Sequence, residues 1–169
     1  MAQPLILVTM GSNGYPFQRL VDYLRNEPLY NSNDCRWYIQ TGGFDIQEKP
    51  FVGTVVDLIS RTEMEDLVKQ SHLVISHCGI GSLNMLLQYR KRVIFVPRVA
   101  QYGEFSDDHQ LQIANEIHNK KMDVVFPGDM FPTIDKNKLT SEHLYQEPID
   151  ITNYSLSKII KKKLFETDI

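Results

Sequence analysis

The chain alternates unbroken apolar runs with stretches in which apolar residues recur every three or four positions. Leu5-Ile6-Leu7-Val8-Thr9 is continuous and stops at Met10-Gly11-Ser12. A run with no polar face suits a strand covered on both sides, as in a parallel sheet. After the turn residues Asn13-Gly14-Tyr15-Pro16, Phe17, Leu20, Val21 and Leu24 follow the spacing of one helix face.

The same rhythm continues. Residues 36–41 read as a second strand, stopped by Gly42-Gly43, and residues 53–58 as a short third. Thr62-Glu63-Met64-Glu65 matches a capping box, which predicts a helix from there to about Gln70. Leu73-Val74-Ile75-Ser76 is a buried strand, and His77-Cys78-Gly79-Ile80-Gly81-Ser82 turns into a helix covering Leu83, Leu86 and Leu87. Val93-Ile94-Phe95-Val96 is the next strand, closed by Pro97. Asp107-Asp108-His109-Gln110 opens a helix through Ile117, and Val124-Val125-Phe126 is a last strand. Strands alternating with helices at short spacing predict an α/β fold, a Rossmann-like doubly wound parallel sheet.

This pattern divides the chain. Residues 1–126 form the α/β core. Residues 127–150 lack periodicity, contain three prolines, and read as an irregular surface excursion. Residues 151–169 form a basic amphipathic helix, with Leu156, Ile159, Ile160 and Leu164 on one face and Lys158, Lys161, Lys162 and Lys163 largely on the others. That helix has three possible uses: packing on its own domain, docking on a partner, or lying on anionic membrane.

Composition narrows the class. A length of 169 residues holds one α/β domain, and 42% hydrophobic with 23% charged residues is ordinary for a globular protein. A net charge of −3 gives no reason to expect nucleic acid. No apolar run approaches the roughly 20 residues of a membrane span, and no basic region precedes the first apolar stretch as in a signal peptide. A cytoplasmic location is expected, with Cys35 and Cys78 reduced. Two cysteines are also too few for a structural zinc site.

Two stretches carry candidate chemistry. In the first, a strand passes through Gly79 and Gly81 directly into a helix beginning near Ser82. Ligands bind beyond the carboxyl ends of parallel strands, and a helix N-terminus with free N–H groups suits phosphate. Taken alone, the glycines fit a tight turn equally well. No Gly-Lys-Ser or Gly-Lys-Thr follows, so this is not a P-loop. Gly11-Ser12-Asn13-Gly14 lacks the dinucleotide spacing, which argues against NAD. Ser82 with His77 raises a hydrolase, but Ser82 is outside any Gly-x-Ser-x-Gly elbow.

The second stretch is PRVAQYGEFSDDHQ, from Pro97 to Gln110. Arg98, Glu104, Asp107, Asp108, His109 and Gln110 give it enough hydrogen-bonding groups to read sugar hydroxyls. Asp107 with Gln110 three residues later also fits a helix cap that needs no ligand. Both readings stand on the residues alone.

Together, VTMGSNGYPFQRL, IQTG at residues 39–42, SHCGIGS at residues 76–82 and PR…GE…DDHQ resemble the C-terminal domain of glycosyltransferase family 28. Their order and spacing agree over roughly the first 125 residues. They are more similar still to the small subunit of split UDP-sugar transferases. Those act in dolichol-linked oligosaccharide synthesis in eukaryotes and in capsule or exopolysaccharide synthesis in bacteria.

The resemblance implies the donor lobe of a GT-B enzyme and a separate, membrane-associated partner carrying the acceptor lobe. It implies inverting transfer of GlcNAc or galactose from a UDP-sugar to a lipid-linked acceptor, with no cofactor and no essential metal. The partner would recruit this chain to the cytosolic membrane face and supply the general base. Gly79, Gly81 and Ser82, helped by Gly11, Ser12 and His77, would meet the diphosphate. Asp108, His109 and Gln110 would meet the donor sugar, Arg98 and Glu104 would organise that loop, and residues 55–58 would face the uracil. The amphipathic helix would dock on the partner.

Two positions depart from the family pattern. Met85 stands where a ribose-gripping glutamate is common, with Asn84 beside it, and Phe105 follows Glu104 where bacterial members often have histidine. The Met85 departure leaves an alternative open: a non-catalytic subunit that stabilises or localises a partner transferase.

Overall fold

The first apolar run is β1 (Leu5–Thr9), and all five of its residues are buried. The computed structural model describes residues 3–47 and 49–139. In chain order β1 is followed by α1 (Gln18–Asn26), β2 (Arg36–Gln40), β3 (Gly53–Val56), α2 (Arg61–Gln70) and β4 (Leu73–His77). Then come α3 (Ile80–Gln88), β5 (Val93–Val96), α4 (His109–Asn119) and β6 (Asp123–Val124). The six strands form one sheet in the order β3-β2-β1-β4-β5-β6, and every pairing is parallel. This is the expected doubly wound fold.

Alternation along the strands separates two cores. Ile6, Val8, Trp37, Ile39, Ile75 and Val96 pack on one face with Phe17, Leu20, Val21 and Leu24. Leu7, Val74 and Phe95 pack on the other with residues from α2, α3 and α4, among them Val68, Leu83, Leu86 and Ile117. Each large apolar side chain so buried stabilises the fold by roughly 1.5–3 kcal/mol. Trp37, fully buried, keeps its indole N–H satisfied by donating to the Leu29 carbonyl at 3.1 Å.

Several boundaries differ from those the sequence predicts. Helix α2 begins at Arg61 because Ser60, not Thr62, caps it: the Ser60 hydroxyl accepts the Glu63 N–H at 3.2 Å. The paired part of β3 ends at Val56, and Leu58 is turned outward, 61% exposed. Helix α3 begins at Ile80, two residues before Ser82, with Gly79 as its cap. The capping pair of Asp107 with Gln110 does not form. Asp107 accepts the His109 N–H at 2.9 Å, while Gln110 is buried and turned inward. Strand β6 is shorter and earlier than residues 124–126, because the Phe126 N–H donates to Asp129 rather than extending the ladder.

Residues 127–139 contain no α-helix or strand, only a 3-10 turn at Lys136–Lys138. They are not confined to the surface. Ile134 and Leu139 are buried in the α1-side core, and the Ile134 N–H donates to the buried carboxylate of Glu27 at 3.1 Å. The expected helix at residues 151–169 lies outside the described residues.

Candidate functional site

In this strand order the connections diverge between β1 and β4, and ligands of open α/β sheets bind beyond the carboxyl ends of the strands at that point. There β1 delivers Met10-Gly11-Ser12 and β4 delivers His77-Cys78-Gly79. A cleft of about 440 Å³ opens over them, lined by Gly11, Ser12, His77, Gly81 and Ser82 among others. A second groove, about 560 Å³, lies by the amino ends of β4, β5 and β6, beside Leu73, Ile94 and Asp123. It is larger, but it lacks a helix N-terminus or any of the predicted ligand-binding residues.

The imidazole of His77 is buried and wedged between two glycines. A Cβ at Gly79 would lie 2.3 Å from its Nε2, and one at Gly11 would lie 2.9 Å away. Gly11 also has a φ of +86°, a conformation that side chains disfavour. The ring's Nδ1 is 3.3 Å from the Thr9 carbonyl, which only accepts, so the proton is assigned to Nδ1 and the lone pair to Nε2. Burial, reinforced by the charge of Arg98, outweighs that hydrogen bond and lowers the ring's pKa to about 4. At neutral pH His77 is uncharged.

Helix α3 supplies the complementary feature. Its first-turn N–H groups, on Ile80, Gly81 and Ser82, have no acceptor within the helix, and the positive end of the helix dipole sits there. A Cβ at Gly81 would meet nothing within 4 Å. The two glycines of the loop therefore differ. Gly79 is required by the neighbouring imidazole, whereas Gly81 faces open space where a ligand can approach.

Gln40, which sequence reasoning did not single out, ties the cleft together. Its amide donates to the carbonyls of Gly11 at 2.6 Å and Asp57 at 2.8 Å, and its oxygen accepts the Thr9 hydroxyl at 2.8 Å. It lies inside the IQTG motif, so the motif itself was the available signal. Leu58, Ile59, Met64 and Met85 add apolar lining, interrupted by Ser60 and the charged Arg61. Of residues 55–58, only Leu58 reaches this lining.

The second candidate stretch is arranged otherwise. Arg98 is 1% exposed. Its guanidinium donates to the carbonyls of Met10, Tyr15, Pro16 and Glu104 at 2.5–3.1 Å. Burial pulls its pKa down to about 10, which leaves it charged at pH 7. The Glu104 carboxylate, also buried, accepts the Val99 N–H at 3.0 Å and two bonds from Arg19 at 2.8 and 3.1 Å. Arg19 had no sequence signal beyond lying on the polar side of α1. The Gln110 oxygen accepts the N–H groups of Cys78 and Arg98, each at 3.1 Å. Arg98, Glu104 and Gln110 thus stitch the loops after β1, β4 and β5 together and line no part of the cleft.

Asp108 and His109 are exposed on the rim of the β5–α4 loop. Asp108 accepts the Ala100 N–H at 2.9 Å, and the His109 Nδ1 lies 2.7 Å from Asp107. Slight burial opposes ionisation of Asp107, but the hydrogen bonds from His109 prevail and hold its carboxyl below the usual range. Among the described residues, no group of three or more His, Cys, Asp or Glu is placed to hold a metal ion. No helix among them is long and apolar enough to cross a membrane.

Comparison with known proteins gives a consistent set of relatives. A UDP-N-acetylglucosamine transferase subunit ALG13 from Yarrowia lipolytica (strain CLIB 122 / E 150) is 27% identical over 168 residues, covering 94% of this chain and 83% of its own. The solution structure of an ALG13 matches with a TM-score of 0.54 at 16% identity, covering 96% of this chain and 97% of that one. The glycosyltransferase SnogD from Streptomyces nogalater matches at 0.50 with 18% identity, over 83% of this chain and 36% of its own. The calicheamicin glycosyltransferase CalG4 matches at 0.52 with 12% identity, over 97% of this chain and 38% of its own. The chain thus spans less than two fifths of the length of these two glycosyltransferases, and at such identities the likeness is one of fold, that of a GT-B lobe. The model of the glycosyltransferase family 28 C-terminal domain matches residues 5–157, beyond the roughly 125 residues that the motifs span. By this match over most of its length, the chain belongs to glycosyltransferase family 28 as a C-terminal-domain member.

Proposed function

We propose that this chain is the donor-binding subunit of a two-component inverting glycosyltransferase. The enzyme moves GlcNAc or galactose from a UDP-sugar to a lipid-linked acceptor held by a membrane-associated partner, which recruits this chain to the cytosolic membrane face. The observation that carries the reading is the convergence of the α3 N-terminus, Ser82 and His77 in one cleft at the β1–β4 switch point. The relative named as a transferase subunit matches nearly the whole chain, which supports the two-component form.

In this reading the diphosphate sits on the first-turn N–H groups of Ile80, Gly81 and Ser82, beside Gly11 and Ser12. Those groups stabilise the negative charge that develops as UDP leaves, and they need no metal to do so. The nucleoside extends toward the apolar wall of Leu58 and Ile59, and the sugar toward Asp108 and His109 on the rim. Gln110, Arg98 and Glu104 hold that rim in place from behind.

A general base must take the proton of the attacking hydroxyl. Among the described residues His77 is the one imidazole or carboxyl lining the cleft, and a pKa near 4 makes it a weak base at neutral pH. With the acceptor hydroxyl held by the partner, the reading assigns the base to the partner.

Calorimetric titration with UDP, UDP-GlcNAc and UDP-galactose tests donor binding, and a transfer assay with and without the acceptor-binding partner tests the division of labour. Saturable nucleotide binding, no turnover alone and turnover on recombination are expected. Failure to bind any of the three nucleotides, or robust transfer by this chain alone, contradicts the proposal.

A further inference from the structure

The amino end of α2 opens onto the same cleft as that of α3, and it carries a residue that helix stability does not explain. Arg61 is the first residue of α2. A cation there opposes the positive end of the helix dipole. Its Nε donates to the Glu65 carboxylate at 2.9 Å. That pair runs in the weaker order, with the acid C-terminal to the base. With the Arg61 side chain 83% exposed, such a pair adds little to stability.

The cleft, in contrast, has a use for this charge. Among the described residues that line it, Arg61 alone is charged at neutral pH, since His77 is held neutral. Arg98, the buried cation beside His77, already donates to four carbonyls. The bond to Glu65 uses Nε, and no hydrogen bond to the described residues engages Nη1 or Nη2 of Arg61. A guanidinium in that state can take a phosphate in bidentate fashion. First-turn side chains lean past the amino end of their helix, so Arg61 reaches over the cleft by rotating away from Glu65. Glu65 keeps a hydrogen bond from the Tyr89 hydroxyl at 3.3 Å when it does.

We propose that Arg61 exchanges Glu65 for the diphosphate of the bound nucleotide, closing on it from α2 while the α3 N–H groups hold it from theirs. The inference rests on the donor-binding reading above. Glu65 is the resting partner that the ligand displaces, and a diphosphate bearing more than one charge competes well with a single exposed carboxylate.

The test is titration of the full chain with UDP and with uridine, followed by backbone amide shifts. In Arg61→Gln the dissociation constant for UDP should rise about tenfold and that for uridine less than about twofold. The salt dependence of UDP binding should flatten in the same variant. Glu65→Gln, which releases Arg61, should tighten UDP about twofold. Lys69→Gln removes an equal charge from the last turn of α2, outside the cleft lining, and should change UDP affinity less than about twofold. A folded Arg61→Gln that binds UDP within about twofold of the unaltered chain overturns the inference and leaves the donor-binding reading intact. An Arg61→Gln loss with unchanged salt dependence, or with an equal loss for uridine, also overturns it, because Arg61 then does not meet the diphosphate. So does an equal loss in Lys69→Gln, which marks a general charge effect. Binding of neither ligand by the unaltered chain overturns both readings.

Discussion

The turn from His77 to Ser82 and the loop from Arg98 to Gln110 are both, in sequence, candidate ligand-binding stretches, and the structure builds them in opposite ways. The loop is denser in charge, yet Arg98, Glu104 and Gln110 spend their hydrogen bonds on backbone groups and on Arg19. The turn is nearly uncharged, yet it leaves the first N–H groups of α3 without helical acceptors and Gly81 facing open space. Density of polar residues therefore does not by itself mark groups left open to a ligand. What matters is which polar groups the fold leaves unsatisfied.

The strongest way to break this contrast is Arg98→Met. It leaves the carbonyls of Met10, Tyr15, Pro16 and Glu104 without their donor inside the protein. A loss of about 4 kcal/mol is expected in urea unfolding. A loss below about 1 kcal/mol would show that the loop does not depend on this residue.

The turn should reveal itself through pH. His77 has a folded pKa of about 4 against the ordinary 6.5. Between those values the unfolded chain binds a proton that the folded one refuses, so stability falls as pH drops from 6.5 toward 4. The full effect is about 3 kcal/mol, present above pH 6.5 and lost by about pH 4. In His77→Asn this part of the pH dependence should disappear; an unchanged slope would mean that the ring is not held neutral.

Glu104→Gln removes the charge opposite Arg19 while keeping the shape, and should cost about 2 kcal/mol with little change in nucleotide affinity at a temperature where the protein stays folded. The smallest effects on stability distinguish the two loop glycines. Gly79→Ala forces a methyl against His77 Nε2 and should destabilise by about 1–3 kcal/mol. Gly81→Ala, near the start of α3 with nothing in reach of its methyl, should leave stability unchanged or raise it by up to about 1 kcal/mol. It should nonetheless weaken UDP binding. Equal melting behaviour of the two variants would erase the distinction.

The strands and helices were legible because continuous apolar runs such as Leu5–Thr9 and the spaced positions Leu20, Val21 and Leu24 have one compact solution each. Boundaries were less so, since several residues near each end are competent caps: Ser60 won over Thr62 for α2, and Gly79 over Ser82 for α3. The burial of Ile134 and Leu139 was hidden because they sit in a segment without periodicity. Within the site, the His77–Ser82 turn was readable from its glycines. The inward orientation of Gln110 and the pairing of Glu104 with Arg19 were not, because they depend on partners distant in sequence.

The central claim is that the α3 N-terminus receives the donor's diphosphate. Titrating UDP into the isotope-labelled protein and following backbone amide resonances tests it directly. Saturable shifts largest at Ile80, Gly81 and Ser82, with smaller ones at Gly11 and Ser12, are predicted. Shifts concentrated at the larger groove beside Ile94 and Asp123, or no saturable shift at all, would contradict it.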